Sequence, residues 1–160
     1  MSRHRRPREY LTEAEIEKLI KATSANRQGH RDATAILIAY RHGLRASELV
    51  ELRWDDIDFR TGKLHVRRAK AGTASVHPLG GRELRALRRL QREMPEGVRS
   101  VHVFISERQA PLSIPGYQRM VARPWPGREM PRSIGPRHHD ATKFFNKIKG
   151  DFRHQRHPCF

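Results

Sequence analysis

The chain has 160 residues, enough for one domain with a modest core, and its hydrophobic content of 36% is lean for that length. Thirty-three Lys and Arg against 17 Asp and Glu leave a net charge of +16, a balance that favours polyanionic partners, nucleic acid above all. One cysteine, Cys159, excludes an internal disulfide framework, and no stretch approaches the roughly 18 apolar residues of a spanning helix, so the expected setting is intracellular and soluble.

In chain order, a basic arm over residues 1–10 precedes Thr12, which with Glu15 forms a capping box. Ile16, Leu19 and Ile20 then recur at helical spacing, predicting a helix to Thr23. A second helix is predicted from Arg31 to His42, with Ala35, Ile36, Ala39 and Tyr40 on its buried side and Gly43 as its C-terminal stop. That stop delivers Arg45 directly before a third helix beginning ASELVEL.

After Trp54 the apolar period shortens to 2: Ile57 and Phe59, a Thr61-Gly62 turn, then Leu64 and Val66 read as antiparallel strands, with a third at Ser75 to Leu79. Between the last two lies a turn from Arg68 to Thr73 whose Lys70 is expected to project beyond the sheet edge. Helical spacing returns from Glu83 to Glu93, with Leu84, Leu87 and Leu90 inward and arginines outward. Val101 to Ile105 reads as a short strand or extended link, and Ile114 to Ala122 as a helix. From Arg123 the chain turns rich in Pro, Arg and His, and only a short helix after Asp140, ending at Gly150, is predicted there.

The order helix, helix, GLRASEL, WDDIDFRTGKLHVRRAKAGTASVHPL and a Leu-rich helix resembles the catalytic domain of the tyrosine recombinases, the phage integrase family, over about Tyr10 to Ala122. Within that family it looks most like the short regulators of fimbrial inversion. The resemblance implies an α+β fold, mainly helical, with a small three-stranded antiparallel sheet. It divides the chain into the arm, a recombinase-like domain over residues 11–122 and a diverged basic tail over 123–160, with the C-terminal part of the fold incomplete. It also implies metal-free chemistry on DNA, without a cofactor, in which a tyrosine attacks a phosphate and forms a 3′-phosphotyrosyl link. Carried over by motif, Arg45 clamps the phosphate, Lys70 is the general acid and Glu48 holds the Arg45 guanidinium.

Two parts of the family pattern are not matched. The segment Ser133 to His139 echoes a His-x-x-Arg motif in composition only, and the His-x-x-Arg spacings at His42/Arg45 and His65/Arg68 fall in other elements. The last tyrosine is Tyr117, ahead of where the second arginine belongs, and Tyr40 sits on an apolar helix face. Without a nucleophile the covalent route is closed, and an absent arginine costs about 3 kcal/mol or more of transition-state stabilisation. The expectation is therefore a duplex-DNA-binding member of the family, cytoplasmic and nucleoid-associated, tied to integration and recombination but unable to cleave alone. The alternative is a non-enzymatic module that occupies recombination sites, as a homo-oligomer or beside an intact recombinase. In either case Arg67, Arg68, Arg85, Arg88 and Arg89 are expected to meet phosphates. A metal site built from His138, His139, His154, His157 and Cys159 has suitable ligand types but poor spacing.

Overall fold

The computed structural model describes residues 12–67 and 74–123. The first helix, α1, spans Glu13–Thr23, and its start follows the local chemistry: Glu15 Oε2 accepts the Thr12 backbone N–H at 2.7 Å, while Thr12 Oγ1 accepts the Glu15 N–H at 3.3 Å. Its buried stripe, Ile16, Leu19 and Ile20, packs on α2, Gly29–His42. Between them the chain doubles back so tightly that a Cβ on Gly29 would collide with the backbone carbonyl of Ser24.

Helix α2 is the centre of the domain. Residues 32–39 are all buried, because α1, α3, α4 and α5 each pack on it, and Tyr40 is half-buried against the core. It begins two residues before the predicted Arg31, since the turn N–H groups of Gly29 and Asp32 find the Asn26 and Gln28 carbonyls. It ends as the sequence predicts, at Gly43, whose φ of 57° lies in the left-handed region where glycine carries no Cβ penalty. The short α3, Ala46–Val50, follows at once and leads through a single 3₁₀ turn, Trp54–Asp56, into the sheet.

The sheet has the order β1–β2–β3 and is antiparallel throughout, with β1 at Ile57–Asp58, β2 at Lys63–Val66 and β3 at Ser75–Pro78. Strand β1 stops before Phe59, one residue short of the predicted alternation. The Asp58 carboxylate accepts the backbone N–H groups of Arg60 and Thr61 at 2.9 and 3.1 Å and turns the chain there. Phe59 instead stacks on Trp54, with ring centroids 6.5 Å apart.

Helix α4, Gly81–Arg92, buries Leu87 and Leu90 against the α2 side. Val101 to Ile105 forms no strand of its own; it makes single bridges, Arg53 with His102 and Ile105 with Pro111, and buries Val103 and Phe104 completely. Helix α5, Ile114–Ala122, has the predicted bounds, starts on a Ser113 cap and carries Pro115 in its first turn, where a missing N–H costs nothing. The short helix predicted after Asp140 lies outside the described residues.

Candidate phosphate-binding site

Arg45 occupies the junction between α2 and α3, and little freedom is left to its backbone. The Leu44 N–H donates to the Ala39 carbonyl at 3.0 Å, the Leu44 side chain is buried, and the Arg45 carbonyl accepts the Leu49 N–H at 2.9 Å. Glu48, expected to hold the guanidinium, places Oε2 2.9 Å from the Arg45 backbone nitrogen and accepts its N–H, so the carboxylate caps α3 on the residue it was expected to orient. Glu48 is itself buried, whereas Arg45 is half-exposed.

The second predicted cation, Lys70, lies with Arg68 in residues 68–73, outside the described residues. The strands that precede and follow this segment are paired through Val66 and Ser75. Arg67, exposed at the end of β2, directs Nε at Asp56 Oδ1, 2.8 Å away. The same buried Asp56 carboxylate accepts the Arg53 backbone N–H at 3.0 Å and so starts the 3₁₀ turn. Glu48, Asp56, Arg67 and His102 are among the residues around a cavity of about 300 Å³.

Arg85, Arg88 and Arg89 share the exposed side of α4. Arg88 covers the Phe59 ring at 5.7 Å from its centroid and donates to the Phe59 carbonyl at 3.4 Å, tying the β1–β2 turn to the helix. Arg89 donates to Glu93 at 2.6 Å, and Arg82 makes a two-pronged pair with Glu17 of α1 at 2.5 and 3.0 Å. Among the described residues, Arg85 has no ion-pair partner on α4 or elsewhere.

A polar cluster that the sequence reading did not single out sits beside this site. The His42 ring, at the end of α2, is buried with Nε2 2.8 Å from Glu83 Oε1, a close polar contact without hydrogen-bond alignment. Glu83 Oε2 also accepts the Gly80 N–H at 2.6 Å. Burial pushes the Glu83 carboxyl up, but the His42 contact, the Gly80 N–H and the nearby Arg41 charge outweigh it and hold it below the ordinary value of 4.5. The His77 ring of β3 stands edge-on to His42 at 5.4 Å. The one signal in the sequence was the Gly80-x-x-Glu83 spacing of a helix start.

The two described tyrosines are packing residues. Tyr117 is 1% exposed, its hydroxyl has no hydrogen-bond partner among the described residues, and burial pushes its pKa far above the ordinary 10. Burial also raises Tyr40, reinforced by Glu13 and Glu17 and opposed by Arg41. Neither phenol is placed to ionise and attack. Among the described residues no group of three His, Cys, Asp or Glu side chains could hold a metal, and no helix is long and apolar enough to cross a membrane; His138, His139, His154, His157 and Cys159 lie outside them.

Known proteins resemble the chain in sequence and in fold. Over 109 residues the chain is 39% identical to the type 1 fimbriae regulatory protein FimE of Escherichia coli K12, a match covering 66% of this chain and 55% of that protein; the chain spans about half the length of the curated relatives it matches. Among solved structures, a dimer of lambda integrase residues 75–356 bound to a COC′ core site superposes with a TM-score of 0.58 at 26% identity, over 77% of this chain and 44% of that one. The fold of XerA recombinase superposes with a TM-score of 0.62 at 21% identity, over 78% and 47% of the two chains. The family model of the phage integrases matches residues 9–146, past Ala122 and across most of the chain. With that model matched over most of its length, the chain belongs to the phage integrase family of tyrosine recombinases.

Proposed function

We propose that this chain binds duplex DNA through its phosphates, as a partner in recombination that does not itself form a covalent link to the strand. The carrying observation is Arg45, held half-exposed at the α2–α3 junction by a left-handed glycine on one side and the Glu48 cap on the other. A guanidinium so fixed can present two N–H groups to the non-bridging oxygens of one phosphate. In this reading Lys70, at the position the resemblance gives to the general acid, lends its charge to the same phosphate without a bond being broken, and Arg67, Arg68, Arg85, Arg88 and Arg89 neutralise neighbouring phosphates. Residues 1–10 act as a basic arm, residues 11–122 as the recombinase-like domain and residues 123–160 as a basic tail. The setting is the nucleoid, and the chain acts with a second copy or an intact recombinase on the same DNA. The non-covalent part is supported by the full burial of Tyr117 and the packing of half-buried Tyr40 against the core, with the pKa of both phenols raised by burial.

The test is fluorescence anisotropy with a labelled duplex of mixed sequence at two salt concentrations, followed by denaturing electrophoresis of the same mixtures. Affinity is expected to fall steeply with salt, Arg45→Ala to weaken binding about tenfold, and no protein–DNA adduct to survive denaturation. Absent or salt-insensitive binding overturns the DNA reading, and an adduct overturns the non-covalent one.

A further inference from the structure

We infer that Glu83 and His42 are positioning residues for Arg45: a buried clasp that fixes the arginine-bearing junction to the start of α4 and to the hairpin strand β3. The inference rests on Arg45 being the phosphate-contacting cation proposed above.

The clasp is defined by what Glu83 does with its two oxygens. Oε2 takes the Gly80 N–H, an ordinary helix-start contact, while Oε1 reaches to 2.8 Å from the ring of His42, the last residue of α2. Both side chains are nearly excluded from solvent, at 5% and 7% exposure. A carboxylate buried to that degree is costly unless it meets a donor or a positive charge, so the geometry is held by electrostatics rather than by chance proximity.

From His42 the constraint runs straight to the arginine. Only Gly43 and Leu44 intervene; the Gly43 N–H donates to the Tyr40 carbonyl at 3.4 Å, the Leu44 N–H to the Ala39 carbonyl at 3.0 Å, and the Leu44 side chain is locked in the core. A shift of His42 therefore moves the Arg45 backbone with it. On the other side, β3 brings His77 against the same ring, with Ser75 Oγ 2.9 Å from His77 Nε2, and β3 leads within two residues to Gly80. Other charges near the pair are Arg41, beside His42 in the chain, and Arg82, which is occupied by Glu17. The clasp thus joins the Arg45 junction to the strand on which the 68–73 segment, with Lys70, is mounted.

The test compares the full chain with Glu83→Ala, Glu83→Gln, Arg45→Ala and the double variant Arg45→Ala/Glu83→Ala, each assayed for duplex binding well below its own melting midpoint. Glu83→Ala is expected to weaken binding several-fold and to reduce the salt slope by about one phosphate contact, as Arg45→Ala does. The double variant is expected to be no weaker than Arg45→Ala alone, and Glu83→Gln, which keeps the Gly80 N–H contact but not the charge, to recover only part of the loss. Additive losses, or unchanged affinity in Glu83→Ala, overturn the clasp. If Glu83→Ala does not fold, His42→Gln replaces it with the same expectations. A measurement without DNA separates this inference from the functional reading: the backbone amide resonances of Leu44 and Arg45 should move in the clasp variant. If the wild-type chain binds no duplex but these resonances move, the clasp stands and the DNA reading falls; if they stay in place, the clasp falls.

Discussion

Tyr117 carries the only phenol in the α5 stretch, and its hydroxyl is enclosed without a partner among the described residues. An enclosed, unpaired hydroxyl costs about 1 kcal/mol or more relative to an apolar group of the same shape. Tyr117→Phe is therefore expected to raise stability by about 1 kcal/mol in chemical denaturation; a loss of that size would show that the hydroxyl has a bonding partner. At this scale the sequence was partly legible. The placement of Arg45 followed from the Gly43 stop, and the packing role of Tyr40 from its apolar helix face. The backbone contact of Glu48 did not, because spacing brings a side chain to the right turn without saying which atom of its neighbour it meets. Arg67 and Arg89 were expected to meet phosphates; the Asp56 contact of Arg67 is set by tertiary folding, whereas Glu93 stands one helical turn from Arg89 in the sequence itself.

Helices were legible because their ends are chosen by local chemistry. Thr12 with Glu15, Gly43, and Ser113 with Pro115 each satisfy or terminate a backbone ladder within four residues. The extended parts were less so: β1 is cut short by an aspartate turn, and Val101 to Ile105 borrows its hydrogen bonds from Leu52 and Trp54, far back in the chain. His42 and Glu83 likewise belong to separate helices, and only their packing makes them neighbours. The α2–α3 junction gives the prediction proper to this scale. Gly43 holds φ at 57°, where a Cβ costs roughly 1–2 kcal/mol. Gly43→Ala should lower stability by about that amount in thermal melting, and an unchanged midpoint would show that the junction relaxes freely.

For the molecule as a whole, more than half of the net charge of +16 belongs to residues 1–11, 68–73 and 124–160, while the described body pairs many of its own arginines. The fold's own electrostatics are therefore set more by internal pairs than by repulsion, and they carry a pH signature. Glu83 is held below 4.5 in the folded chain, so its contribution is present above the unfolded value and is lost as pH falls through the lower folded one. The stability gap between the wild-type chain and Glu83→Gln should accordingly be widest above 4.5 and close in more acidic solution, as read from denaturation curves at both conditions. A gap that does not change with pH would mean that the carboxyl is not ionised in its buried setting.

The doubled-back connection at Gly29 has a consequence for descent. With the Ser24 carbonyl standing where a side chain would begin, every mutation of that codon to another amino acid forces the backbone itself to move, alanine included. A residue other than glycine at this position therefore requires the turn from Ser24 to Gly29 to be rebuilt.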